Sequence, residues 1–145
     1  MANTNKMIFA VVAGISYVAL GILQMLERFG IETGLAEPLL IPGDFFGGLC
    51  FVVIGAVFLY GVKELNAGVH MGVSYVYVGI LMSLVFMTVY LLTMGADLLM
   101  FYAVASEEYV GWHIIDSMRP GIYLGFLSLA GYVAWRGSFS IQASK

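Results

Sequence analysis

Charged side chains are scarce in this sequence. Only 10% of the 145 residues are Asp, Glu, Lys or Arg, whereas 61% are hydrophobic, and the mean hydropathy is +0.97. A soluble domain carries about 25% charged residues, because its surface faces water. The shortage of charge therefore excludes an ordinary soluble domain and indicates an integral membrane protein.

Cysteine is nearly absent as well. Cys50 is the only one, which excludes an internal disulfide, a CxxC redox pair and a cluster of thiolate metal ligands. Because Cys50 lies inside an apolar run, we expect it to be a small, buried hydrophobic residue of a helix.

The sequence also lacks a recognisable catalytic arrangement. No serine has a histidine and an acid at a known spacing, no glycine-rich loop follows a strand, and no carboxylate pair lies in an apolar run. We therefore expect a protein without catalytic activity and without a cofactor. A lipid-modifying enzyme that uses acidic residues of one membrane face is the alternative in this class.

Long apolar runs are what the sequence has in abundance. A hydrocarbon core about 30 Å thick needs about 20 apolar residues in a helix. Four stretches approach this length, and none alternates with the period of two that marks a transmembrane β-strand. We predict an all-α protein, a single transmembrane domain over residues 1–145 and a bundle of four transmembrane helices, at about 7–29, 44–63, 70–103 and 118–136.

The charges predict the orientation of these spans. With four spans both termini lie on one side, which carries four of the six Lys and Arg residues: Lys6, Lys63, Arg136 and Lys145, against Arg28 and Arg119. By the positive-inside rule both termini are cytoplasmic, in a multi-pass protein of the cell membrane. Nearly all acidic residues fall at the outer ends. This acidic face argues against nucleic acid as a partner and favours cations or basic protein surfaces.

Glycine is frequent, with 18 residues, and it recurs at a spacing of seven. Seven residues make almost two helical turns, so each pair lies on one helix face. Helices in lipid associate through close backbone approach at small residues. An internal duplication of a helical hairpin, as in transporters, is the alternative explanation. We predict that nine small residues form helix contacts: Gly14, Gly21, Gly48, Gly55, Gly72, Gly79, Gly121, Gly125 and Ser128.

Polar residues follow the glycine faces towards the outer ends of two spans. Gln24 and Arg28 end the first span, and Thr93 and Asp97 lie late in the third. If these spans pack together, Arg28 comes near Asp97 and the four side chains form a polar mouth for an ion or a small solute. Asp97 lies about 40 Å along its helix, beyond a core of about 30 Å, so we expect it at the outer interface. A tilt or a kink would instead draw it into a cavity lined by protein.

His113 and Asp116 stand three residues apart in the second outer connection. Together with Asp97 they would supply one imidazole and two carboxylates, a ligand set that Zn²⁺ or Mn²⁺ accepts. The competing expectation is that both residues make hydrogen bonds at the membrane interface, and we favour it because no further ligand accompanies them.

Two function classes follow from these patterns. The first is a scaffold or accessory subunit of a membrane assembly, or a self-associating bundle, whose partners are membrane lipids and either its own copies or other membrane subunits. The second is a small oligomeric transporter or channel for a cation or small solute that uses the outer polar mouth. The absence of a reactive group and of a soluble domain favours the first.

Overall fold

The computed structural model describes residues 2–104 and 107–143, and within them the chain is helical and contains no strand. The α-helices are α1 (Ala2–Arg28), α2 (Ala36–Leu39), α3 (Phe45–Asn66), α4 (Met71–Leu99) and α5 (Pro120–Ala143). A π-helical segment continues α4, and two short 3-10 segments precede α5: Met100–Val104, Glu107–Tyr109 and Ile114–Ser117. Lys145, which entered the orientation argument, lies outside the described residues.

Among the described residues, three helical stretches are long and apolar enough to cross a bilayer. They are Asn3–Arg28, Phe45–Asn66 and Met71–Val104. Helix α5 is not one of them, because glycine, serine and Arg136 interrupt its apolar side chains. Three candidate spans are thus present, and the fourth span remains a prediction.

The helix ends differ from the predicted ones by a few residues. Helix α1 begins at Ala2 rather than near residue 7, since no proline or glycine interrupts its first turns. Helix α5 continues past Arg136, with a kink at Trp135, whose φ of −123° and ψ of 16° are not helical. The indole of Trp135 lies edge-on to the ring of Phe9, with centroids 5.2 Å apart. This contact with α1 is non-local, so no local pattern could have indicated it.

Helices α1 and α3 pack antiparallel at backbone distance. The carbonyl oxygen of Gly48 lies 2.6 Å from the position that a Cβ would occupy at Gly21, and the carbonyl oxygen of Gly55 lies 3.2 Å from the corresponding position at Gly14. Four of the small residues predicted at helix contacts therefore face one another in two pairs. What they contribute to stability is still a prediction.

Helices α3 and α4 are joined by a short turn in which Gly68 adopts a positive φ of 74°. They pack closely beside it, because a Cβ at Gly72 would lie 2.6 Å from the backbone nitrogen of Leu65. Two turns further along α4, Gly79 lies against the ring of Phe58. The turn and these two contacts make α3 and α4 antiparallel neighbours.

Helix α5 runs antiparallel to α4 along most of its length. Near the start of α5, Gly121 lies under the ring of Tyr90, and at the middle of α5 the ring of Tyr132 stacks on Tyr77, with centroids 6.3 Å apart. Gly125 lies against Met87 between these points. The glycines again face large side chains, which fill the space that a missing Cβ leaves.

The centre of the bundle is aromatic. Tyr17, Phe51 and Phe58 are fully buried, and the ring of Tyr17 lies edge-on to Phe51, with centroids 5.2 Å apart, and stacks on Phe58 at 6.0 Å. Cys50, expected to be buried, is only partly so. The aromatic core joins α1 to α3 at the centre of the bundle.

Candidate functional site

Asp97 lies near the C-terminal end of α4, where it is tied to the connection that leads to α5. We call this end of the bundle the outer end, after the orientation predicted from the sequence. Its Oδ2 accepts a hydrogen bond of 2.5 Å from the hydroxyl of Ser117, and this hydroxyl in turn accepts one of 3.1 Å from the indole Nε1 of Trp112. Ser117 is buried and Asp97 is partly buried. The three side chains form a hydrogen-bonded clasp, and we call them the outer clasp.

His113 and Asp116 are engaged with each other in the same connection. The backbone N–H of His113 donates a hydrogen bond of 2.8 Å to Oδ2 of Asp116, and the pair forms a capping box on the segment Ile114–Ser117. Both residues are exposed. Among the described residues no group of three or more His, Cys, Asp or Glu side chains is placed to hold a metal ion. The metal site therefore remains a prediction that this geometry does not support.

The four side chains predicted to form an outer mouth lie in different environments. Arg28 is exposed at the end of α1, with its backbone beside Gly43. Thr93 is exposed and donates a hydrogen bond of 3.0 Å to the carbonyl of Val89 in its own helix. Asp97 belongs to the outer clasp. Gln24 is fully buried inside the bundle. The four side chains do not come together, because α1 packs mainly against α3 and α4 packs mainly against α5.

A second set of polar side chains lies inside the bundle. The hydroxyls of Tyr17 and Ser83 are hydrogen-bonded to each other, and the hydroxyl of Ser128 on α5 interacts with Tyr17 from another side. Tyr17, Ser83 and Ser128 have no exposed surface. Tyr17 lies about midway between Lys6 and Glu27, so this group is near the middle of the span.

Gln24 and Tyr90 extend this set towards the outer face. Tyr90 interacts with Gln24 and also with Asp44 and Arg119, and its hydroxyl lies beside Gly47 at the start of α3. We call the five side chains Tyr17, Gln24, Ser83, Tyr90 and Ser128 the polar seam. The seam leads from charged residues at the outer end to the centre of the bundle.

Most of the seam was missed by sequence reasoning, although a signal for it exists. Tyr17 and Gln24 are seven residues apart in α1, and Ser83 and Tyr90 are seven apart in α4. Each pair therefore lies on one helix face, two turns apart. A hydroxyl and an amide that recur at this spacing within apolar runs indicate a polar strip that faces the protein interior.

Two of the seam residues have unsatisfied polar atoms. Neither the Nε2 nor the Oε1 of Gln24 makes a hydrogen bond, and the same holds for the Oγ of Ser128. The surrounding lipid offers no hydrogen-bond partner to such groups, so an unsatisfied amide is costly. These atoms are the hydrogen-bonding groups of the seam that the protein itself leaves unsatisfied.

The outer surface itself carries clefts between the connections. One cleft of about 350 Å³ lies between the α2 segment and the connection before α5, lined by Leu40, Ile41, Ile115 and Met118 among others. A second, of about 280 Å³, is lined by three acidic side chains, Glu27, Glu32 and Glu37. Glu27 accepts a hydrogen bond of 3.0 Å from the hydroxyl of Thr33, which holds this connection against the end of α1.

The outer end of α4 is apolar and uncovered. Leu92, Leu99 and Tyr102 are 70%, 63% and 75% exposed. We call the stretch from Leu92 to Val104, the last described residue of this helix, the α4 extension. Its inner flank is closed by the outer clasp and by Trp112, whose ring centroid lies 5.4 Å from that of Phe101. Its outer flank has no cover within the described chain.

The helices and their apolar surfaces define an integral membrane protein made of helices. The chain belongs to the family described as MJ0565 integral membrane domain, whose pattern matches residues 2–137. No curated protein and no solved structure is significantly similar to it. The prediction of an all-α membrane protein is thereby confirmed, whereas the family description assigns no activity.

Proposed function

We propose that this protein is a non-catalytic subunit of a membrane assembly, which binds another membrane protein through the α4 extension. The observation that carries the proposal is a mismatch of length. The stretch Met71–Val104 has 34 residues, or about 50 Å of helix, whereas the hydrocarbon core is about 30 Å thick. Phe45–Asn66, with 22 residues, fits this core at about 33 Å.

The excess of α4 lies on the outer side. Its first residue follows the short turn after α3, and this turn fixes the inner end of both helices. About 20 residues from Met71 fill the hydrocarbon core, so the residues beyond about Leu91 lie in the headgroup region or in water. An apolar surface of this kind outside the core is typical of a protein interface.

The acidic residues around the α4 extension favour a partner with basic residues. Glu107 and Glu108 follow the extension, and most other acidic residues of the chain lie at the same end. A second copy would bring these acids together, which disfavours contact. The chemistry favours a different protein, with an apolar face flanked by Lys or Arg.

The proposal also includes a fourth span and the predicted orientation. Helix α5 lies antiparallel to α4 between Tyr90 and Tyr77 and reaches Phe9 of α1 through Trp135. It therefore covers the same depth as helices that have the length and apolarity of spans. With four spans, both termini are cytoplasmic and the α4 extension faces outward, in a multi-pass protein of the cell membrane.

Photocrosslinking in native membranes tests the proposed interface. A benzophenone amino acid at Tyr102 is expected to give one adduct of defined mass with another protein, whereas the same group at Ile15, which is exposed on the α1 surface, gives none. An adduct between two copies of this chain, or no protein adduct at position 102, would contradict the proposal.

The second candidate function is a small oligomeric transporter or channel, and the polar seam is the observation that favours it. The seam supplies a polar route through the outer half of the bundle. Transport would require the inner half, which is apolar, to open. Solute flux into proteoliposomes that Gln24→Leu abolishes would support this function, and the absence of flux for cations and small solutes would remove it.

A further inference from the structure

We infer that the polar seam is a one-sided internal hydration site, which admits water from the outer face as far as Tyr17 and stops there. The unsatisfied atoms of Gln24 and Ser128 carry this inference. It concerns the interior of the bundle and does not depend on a docking partner.

The first step concerns the polar atoms at the centre. Gln24 brings two N–H donors and one carbonyl acceptor into a fully buried position, and Ser128 brings a hydroxyl. The Gln24 amide lies close to the side chain of Tyr90 and the Ser128 hydroxyl close to Tyr17, but none of these Gln24 and Ser128 atoms makes a hydrogen bond of normal geometry with the protein. Buried polar groups in proteins are almost always satisfied by protein atoms or by bound water. A molecule that serves both groups must donate as well as accept hydrogen bonds, and water does both.

The second step concerns the charge of the ligand. The seam itself consists of three hydroxyls from Tyr17, Ser83 and Ser128, one amide and the Tyr90 phenol, so it contains no carboxylate and no amine. Taking a bare ion into such a site would leave its charge uncompensated at low dielectric. The ligand class is therefore a small, uncharged molecule that forms hydrogen bonds.

The third step concerns the entrance. Tyr90 is only partly buried, and it interacts with Asp44 at the start of α3 and with Arg119 just before α5. Both residues lie beside the outer ends of α3 and α5, where we expect them to contact water. Gln24 is four residues from Arg28, the last residue of α1, or about 6 Å along the helix. The inferred water path therefore runs past Tyr90 and reaches the Gln24 amide about one helical turn from the outer end.

The fourth step concerns the inner end. Lys6 is buried at the inner end of the bundle, and between Lys6 and Tyr17 the buried side chains are aliphatic or aromatic: Ala10, Ala13, Phe58, Val73, Val76 and Ile80. A chain of water molecules finds no hydrogen-bond partner among such groups. The seam therefore ends near the centre of the span, and the resting protein conducts no water across the membrane.

Water-edited solid-state NMR of the full chain in lipid vesicles tests the inference. The chain has two glutamines, Gln24 and Gln142, so ¹⁵N-Gln labelling gives two side-chain amide signals, and the variant Gln142→Asn leaves only that of Gln24. Polarisation from water protons is expected to reach the Gln24 side-chain amide as strongly as the exposed backbone amide of Glu32. It is expected to be several-fold weaker at the buried Phe58.

Two results would overturn the inference. A Gln24 amide as dry as Phe58 would show that water does not enter the seam, and a Phe58 amide as wet as Gln24 would show that the site is not one-sided. Stability gives a second measurement. Gln24→Met, which keeps the shape of the side chain, is expected to lower the melting temperature because it removes hydrogen bonds to water. In a dry seam it would raise the melting temperature, because it removes an unsatisfied amide.

Discussion

Gly21 is one of the residues at which backbone atoms of a neighbouring helix leave no space for a side chain. A Cβ there would lie 2.6 Å from the carbonyl oxygen of Gly48 and 2.9 Å from the backbone nitrogen of Val52. Backbone atoms of a neighbouring helix cannot move aside as a side chain can. Gly14 differs, because the atoms closest to its Cβ position belong to the flexible side chain of Leu59.

We therefore expect Gly21→Ala to destabilise the protein by roughly 1–3 kcal/mol, because α1 and α3 must separate to admit the methyl group. The matched control is Gly95→Ala in α4, where nothing lies within 4 Å of the Cβ position. This control should be neutral or stabilise by up to about 1 kcal/mol, since alanine favours the helix. Denaturant unfolding in detergent micelles measures both. Equal effects of the two substitutions would show that the glycine contacts do not hold α1 to α3.

Ser117 holds the connection before α5 against α4, because its single hydroxyl bonds to side chains of both segments. It donates to Asp97 and accepts from Trp112. We expect Ser117→Ala to cost about 1–2 kcal/mol, since a buried hydrogen-bonded hydroxyl is lost. Thr93→Ala is the control, because Thr93 is exposed and bonds only within its helix turn. Hydrogen exchange of residues 107–119 should rise in the first variant and not in the second.

At the scale of helices, length is the property that the sequence predicts best. Apolar runs bounded by charged pairs predict where α1, α3 and α4 lie, because the bilayer thickness leaves little choice. The kink at Trp135 and the outer clasp depend on contacts between distant segments, for example Trp135 with Phe9. The predicted approach of Arg28 to Asp97 assumed that α1 and α4 pack along their length, whereas their main neighbours are α3 and α5, respectively; spacing along a helix indicates a face and not its partner.

The length of α4 leads to a prediction about depth. Leu99 and Val78 are both exposed on the surface of α4, but only Leu99 lies beyond the hydrocarbon core if the extension projects outward. In a Cys50→Ser background, Leu99→Cys is expected to react with an impermeant maleimide in intact cells, whereas Val78→Cys does not, because lipid covers its thiol. Labelling of Val78→Cys to the same extent would place both residues in water and refute the assignment of the extension.

At the scale of the whole molecule, the open point is whether α5 crosses the membrane. Its apolar stretch from Gly121 to Trp135 has 15 residues, which is about 22 Å of helix and short for a core of about 30 Å. Its contacts nevertheless run along α4 and reach Phe9 near the other end of α1. The packing of α5 against α4 over this distance is the ground on which we propose that both helices share the same depth.

We therefore expect an even number of crossings, with the C-terminus on the cytoplasmic side. Two cysteines in the Cys50→Ser background calibrate the assay: Val110→Cys in the connection before α5 should be labelled in intact cells, and Ala67→Cys in the turn after α3 only after permeabilisation. Both positions are exposed. A cysteine tag added after Lys145 should behave like Ala67→Cys. Were it labelled in intact cells together with Val110→Cys, α5 would lie along the outer surface, and the polar seam, which takes Ser128 from α5, would not be enclosed within the membrane.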